Sequence, residues 1–246
     1  MSRLPALPAP ELAAFAPDQL RFAAAAWPMR AAEELRSALI YRALAAASRR
    51  ALPAFAERFA AVMWEEIGHV RLCAAVGARL GAEPPRHDVQ PVRERLAGLG
   101  DPRARTIALA VSEVAIGETI SMSMFRESRR ATTEPLSRAA IDSILADEAR
   151  HHQLGWDALA ALGPSEAMQR EAAHALRGSE QQIALPALRF LEAGKPFDPA
   201  WAALGVIAPE RRVEAFYAGV EQVVVPHLHR LGLDGGRAWA ARYRAS

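Results

Sequence analysis

The sequence is short of the features that commit a chain to a non-helical or extracellular life. Among 246 residues there is one cysteine, Cys73. That excludes an intrachain disulfide and a Cys-pair iron site, and gives no reason to invoke an oxidising compartment. Aromatic residues make up only 7% and β-branched runs are rare. No continuous run of 18 apolar residues exists, so no transmembrane helix and no membrane partner are expected. The formal net charge is +2 and no basic stretch is concentrated enough to argue for a nucleic-acid partner. No Gly-rich flavin or nicotinamide fingerprint is present. The opening MSRLPALPAPELAAFAPDQL has proline spaced through it and no continuous apolar core, so it does not read as a signal peptide. A cytoplasmic protein is the expectation.

What is present is alanine in abundance and a 51% hydrophobic composition. This predicts an all-α fold of helices packed closely through small side chains. Residues 1–17 read as a loose, Pro-rich arm. A first helix is expected from Pro17 or Asp18 to Ser48, with Pro28 a point of kink or interruption. A short break near Arg50–Pro53 leads to a second helix that ends near Gly81. Residues 82–101 read as a long connection, after which Asp101 and Pro102 take the N-cap and first helical positions. A third helix runs to about Arg130, and a brief turn at Thr132–Pro135 starts a fourth that ends near Gly163. The short links make hairpins of helices 1–2 and 3–4. The 20-residue link spans roughly 60 Å when extended, against about 45 Å for a 30-residue helix. It is long enough for one crossover along a four-helix bundle spanning 18–163. Residues 164–246 read as a C-terminal helical extension packed on that bundle, with bends at Pro186 and Pro226.

Two Glu-x-x-His tetrads, each preceded by an acid, stand out in Glu65-Glu66-Ile67-Gly68-His69 and Asp147-Glu148-Ala149-Arg150-His151. A Glu and a His three apart share one face of a helix. With 7 His and 20 Glu in the chain, roughly 0.6 Glu-x-x-His matches are expected by chance. Three occur. Requiring an acid just before the Glu lowers the expectation to about 0.07, and two survive. The third, Glu171-x-x-His174, follows Arg170 and is read as the chance event.

Each tetrad needs a Glu from its partner helix. Helix 1 offers Glu33 or Glu34, and helix 3 offers Glu113 or Glu118. Glu34 lies 32 residues before Glu66, and Glu118 lies 30 before Glu148, which places all four at similar depth. The pair Glu33 and Glu113 gives a less even 33 and 35. Glu118 has an apolar wall of Val114, Ala115 and Met122, whereas Glu113 lies about 140° away around an ideal α-helix. The resulting set is Glu34, Glu66, His69, Glu118, Glu148 and His151. Four buried carboxylates without counter-charge would be prohibitive; two divalent ions would neutralise them, and mixed carboxylate and imidazole donors suit iron or manganese. Asp147 is placed to accept the free ring N–H of His69, and Glu65 that of His151. His152, Tyr41 and Glu33 are further candidates. Trp64 and Trp156, flanking the tetrads, are assigned to packing, and Cys73 to the core.

These residues resemble the ferritin-like di-iron carboxylate superfamily. Glu34, Glu66-x-x-His69, Glu118 and Glu148-x-x-His151 match its E…ExxH…E…ExxH order. EVAIGETIS and ADEARHHQLGW are similar to helices 3 and 4 of bacterial ferritin-like domain proteins of unassigned activity, and ELRSALIY is similar to the first helix of the superfamily's quinone-ring hydroxylases. The resemblance covers about 18–163; residues 164–246 are similar to the same unassigned proteins. It implies a site for two iron ions, with manganese or a mixed Mn/Fe pair as alternatives. The function expected is O2 activation to oxidise a small organic substrate, with electrons from an external donor. Iron handling (ferroxidase, storage or peroxide scavenging) and a non-catalytic helical interaction protein with a relict site are the alternatives. A homodimer is the candidate assembly.

Overall fold

A computed structural model describes residues 6–84 and 88–241. The parts of the N-terminal arm and of the long connection outside those ranges are outside the described residues. Every regular element among the described residues is helical. α1 (Pro17–Ala51) and α2 (Pro53–Arg79) are separated by Leu52 alone. The Leu52 N–H still bonds Ser48 O, but Pro53 has no N–H with which to continue the ladder. The chain therefore folds back, and α2 packs along α1. α1 runs unbroken through Pro28.

A short helix, α3 (Gln90–Gly98), lies within the long connection. Asp101 then caps α4 (Pro102–Leu109): its carboxylate accepts from Ala104 N at 2.7 Å, and Pro102 occupies the first turn. α4 continues through a π-helical segment, π1 (Ala110–Gly117), into α5 (Glu118–Ala131). Glu134 caps α6 (Pro135–Leu162) by accepting from Leu136 N and Ser137 N, and Gly163, at φ 73°, ends it. The 102–131 rod is long and apolar enough to cross a membrane, but 78% of its most apolar stretch is buried inside the fold. Its hydrophobicity is spent on the core.

α1 packs on α2 and α4, while α6 packs on α2, α5 and π1. Two apolar clusters lie at opposite ends of these four rods. One contains Trp27, Leu72, Phe125 and Ile141. The other contains Tyr41, Phe59, Leu109 and Leu154. Following the chain, α1 and α6 run from the first cluster to the second; α2 and the 102–131 rod run the other way. Each rod has a buried Glu between the two clusters, namely Glu34, Glu66, Glu118 and Glu148, so a polar belt is held at one level.

The described part of the arm lies on the bundle through Leu7, Leu12 and Phe15. Beyond α6, α7 (Glu166–Ser179), π2 (Glu180–Ala184) and α8 (Leu185–Glu192) form one continuous rod, and α10 (Pro209–Gly219), π3 (Val220–Val224) and α11 (Val225–Arg230) form another. The small α9 (Pro199–Ala203) and α12 (Gly235–Ala241) complete this region. A third apolar cluster joins Ile116, Ile120 and Trp156 of the four rods to Met168, Leu176, Phe216 and Val224. Pro186 and Pro226 each follow a π segment by two residues. A proline cannot donate to the carbonyl a turn earlier, and the π register is one way for the helix to absorb that missing bond.

Gly155 lets α6 approach π1 backbone to backbone. A Cβ there would lie 2.7 Å from both Ala115 N and Val114 C. Gly155→Ala should therefore destabilise the protein by about 1–3 kcal/mol through overpacking. Gly178→Ala, at a helical position where a Cβ meets nothing within 4 Å, should instead stabilise by about 0.5–1 kcal/mol. Urea unfolding of both variants checks the pair; equal stabilities would contradict the close approach.

Candidate metal centre

The polar belt gathers Glu34 from α1, Glu66 and His69 from α2, Glu118 from the start of α5, and Glu148 and His151 from α6. All six are buried. Their donor atoms form two groups. Glu34, Glu66, His69 and Glu148 make one, and Glu66, Glu118, Glu148 and His151 make the other, with the atoms of each group within 4.8 Å of one another. Glu66 and Glu148 belong to both.

Both imidazoles turn the same edge inward. His69 Nδ1 lies 3.5 Å from Glu34 and from Glu66, and 3.7 Å from Glu148. His151 Nδ1 lies 3.0 Å from Glu66 and 3.9 Å from Glu148. Close as they are, these atoms do not pair by hydrogen bonding: both Nδ1 atoms, both Glu66 oxygens and Glu148 Oε2 are buried without a hydrogen-bond partner. They converge on shared space rather than on each other. Buried polar atoms left unpaired are costly and rare, and a cation at their meeting point would satisfy all five. The donor set, oxygen plus imidazole nitrogen, fits an ion of the iron or manganese kind. These buried groups could hold a metal ion.

The outward edges are fixed by acids from the opposite helix. His69 Nε2 donates to Asp147 Oδ2 at 3.1 Å, and His151 Nε2 donates to Glu65 Oε2 at 2.7 Å. Each bond places the ring proton on Nε2 and leaves the Nδ1 lone pair for the belt. Arg150 spans both acids, at 2.5 Å from Asp147 Oδ1 and 3.3 Å from Glu65 Oε1. Nothing in the sequence pattern singled out this arginine.

The electrostatics follow from burial. Desolvation, then neighbouring Glu118, Glu66 and Glu34, drives Glu148 well above the usual carboxylate range. Burial likewise lifts Glu66 to about 7. Burial disfavours charged imidazoles, but Asp147, Glu34 and Glu66 outweigh it at His69 and raise its pKa strongly, and Glu65 and Glu66 raise that of His151 to about 10. The hydrogen bond from His69, helped by Arg150, pulls Asp147 down to about 2. Without a metal the belt thus balances its carboxylates with imidazolium and bound protons.

No protein-family model matches the chain, and no curated protein matches it. The site's chemistry is therefore read from its own geometry.

Tyr41 is fully buried and donates from its hydroxyl to Glu118 Oε1 at 2.8 Å. Glu33 stays outside both groups, 72% exposed and paired with Arg36. His152 also lies outside, with its ring against Trp156 and His227. Cys73 is buried in the core. Trp156 packs as expected, its indole N–H on Thr119 Oγ1 at 3.1 Å, whereas Trp64 is 60% exposed and packs little. Glu113 lies outside both donor groups. The angle expected between Glu113 and Glu118 assumed α-helical spacing, but π1 intervenes, and Glu118 N bonds Glu113 O five residues back. Both residues line one cavity of about 640 Å³ that opens beside the belt. Glu113 is held there by Arg36 at 2.7 Å and by Arg95. Glu34, Glu118 and Glu148 line the same cavity, as does His174 from the motif read as accidental.

Metal entry must expel the belt's protons. At about pH 7, saturating metal-free protein with Mn(II) should release about two or more protons per chain, from Glu148, His69 and His151. Since binding competes with protonation, affinity should rise with pH. Calorimetry in buffers of different ionisation heat measures this; proton-neutral binding would contradict the charge balance.

Proposed function

We propose that the belt is a carboxylate-bridged dinuclear centre in a ferritin-like bundle, and that the protein is a non-haem di-iron oxidase or oxygenase acting on a small organic substrate. The ligands are Glu34 and His69 for one ion and Glu118 and His151 for the other, with Glu66 and Glu148 bridging because each belongs to both four-donor groups. Four carboxylates balance two divalent charges. Manganese, or one ion of each metal, suits the same donors. The directions of the four rods support the ferritin-like topology. α2 and the 102–131 rod run the same way, which requires the segment between them to return along the bundle.

Two iron ions held there would supply O2 activation, with electrons from an external donor. The chain's own residues do the rest. Asp147 and Glu65 orient the imidazoles, Arg150 keeps those acids charged, and the Tyr41 hydroxyl fixes Glu118. The apolar clusters on either side of the belt keep bulk water from the ligands. The observation that carries the reading is the cavity of about 640 Å³ with Glu34, Glu118 and Glu148 in its wall. It gives an organic molecule access to the belt, a feature that iron storage does not need.

Metal content tests the assignment. Wild-type protein expressed in iron-rich medium should carry about two ions per chain, and Glu66→Ala and Glu148→Ala should each lose most of them. Two ions per chain retained in both variants would refute the bridging roles. Glu34→Ala should lose metal while Glu33→Ala keeps it; the reverse ranking would move the α1 ligand by one residue. A shell-sized particle on size exclusion would favour iron storage instead.

A further inference from the structure

The cavity wall has an uneven charge balance. Arg36 is satisfied by Glu33 at 3.0 Å and Glu113 at 2.7 Å, and Arg95 by Glu113 and by Ser112 at 2.9 Å. Those two arginines and two acids neutralise one another. The wall also holds Arg30 and Arg212. Among the described residues, neither forms an ion pair, and no hydrogen bond holds the Arg212 guanidinium. The ligand carboxylates do not supply the counter-charge once two divalent ions sit among them. Two guanidinium charges therefore remain unbalanced at this wall.

Arg30 is also built as a rigid receptor. Its guanidinium lies 4.7 Å from the Trp27 ring centre and 5.8 Å from that of Phe125. Its Nη2 donates to Gly205 O and to Ser128 Oγ, the latter at 3.4 Å. The other terminal nitrogen, Nη1, is buried without a partner. A charged donor fixed on one edge and unpaired on the other is costly unless something accepts from it. Burial lowers the pKa of Arg30, with Arg212 adding to the effect, and burial alone lowers that of Arg212, as expected of cations short of counter-charge. The same cavity wall presents the apolar side chains of Ile120, Met124, Phe125 and Ile207. Arg30 precedes Glu34 by one helical turn, about 6 Å along α1, so an anchored head group would be a neighbour of the belt.

Resting on the oxidase reading above, we propose that the substrate is an organic anion: an anionic head group held by Arg30 and Arg212, carried on an apolar body that lies along the Ile120–Phe125 wall. A carboxylate can accept one bond from the free Nη1 of Arg30 and a forked pair from the Arg212 guanidinium, and the apolar wall disfavours a small inorganic ion.

The test uses full-length protein loaded with Mn(II), its metal content assayed on every sample. Octanoate, octanol, octylamine and inorganic phosphate are titrated by calorimetry. Octanoate should bind, and octanol and octylamine should bind far more weakly. Arg212→Met should weaken octanoate by about tenfold or more, the loss of a charge-assisted pair, with unchanged metal content. Arg30→Met should do the same, but Arg30 also holds the Gly205 carbonyl, so Arg212→Met decides if that variant misfolds. Octanoate binding no tighter than octanol, or unaffected by Arg212→Met, overturns the proposal. Phosphate binding as tightly as octanoate overturns the apolar-body part of it. Anion binding by a protein that takes up no metal would defeat the oxidase reading alone; full metal loading with no anion preference would defeat this inference alone.

Discussion

Four carboxylates in the centre of an alanine- and leucine-rich bundle set the terms for the rest of the fold. Left ionised and uncompensated they would be intolerable at that depth. The chain surrounds them with two imidazoles whose outer edges are pinned by Asp147 and Glu65, and with apolar clusters above and below. Helix starts and stops serve the same end. Pro53, Asp101 with Pro102, and Glu134 with Pro135 each fix where a rod begins, and so fix the level at which its Glu arrives. A slip of one residue in any rod would turn that Glu about 100° away from the belt.

The parts of this arrangement that were legible in the sequence are those governed by regular α-helical spacing and local caps. Glu66 with His69 and Glu148 with His151 sit one turn apart on straight helices, so periodicity alone puts each pair on one face. Asp101-Pro102 and the turn before Pro135 carry their own chemistry, and the rods start there. At 110–117 periodicity could not supply the geometry. Ideal α-helical angles do not carry across a π segment, and Glu113, outside both donor groups, lines the same cavity as Glu118. No proline marks π1; Gly155 packs the α6 backbone against it, a tertiary contact with no local signal. Trp64 misled for the opposite reason. A large apolar side chain beside a motif suggested packing, yet it is 60% exposed. Arg150, Arg30 and Arg212 were invisible because an arginine's role depends on which acids fold up beside it.

The three π segments divide by cause. π2 and π3 each precede a proline, and the extra residue per turn accommodates a carbonyl that proline cannot engage. π1 ends where α5 begins, and α5 begins with Glu118. Its wider register shifts that Glu relative to everything before it in the rod, so the placement of Glu118 depends on the packing of α6 and α7 against π1 as much as on its own helix.

The crossed acids around the belt add a constraint that a simple ligand set lacks. Glu65 belongs to α2 but orients an imidazole of α6; Asp147 belongs to α6 but orients one of α2. Each helix therefore sets the ring orientation of the other's histidine, and Arg150 ties the two acids together at the surface. A small rotation of α2 moves Glu66 and His69 directly, and through Glu65 it also pulls on His151. The two helices thus keep register as a unit, in the region where Glu66 and Glu148 must serve both donor groups at once. An arrangement in which each acid paired with a histidine of its own helix could orient the rings equally well, but it would leave the two helices free to slip past each other and separate the groups they share.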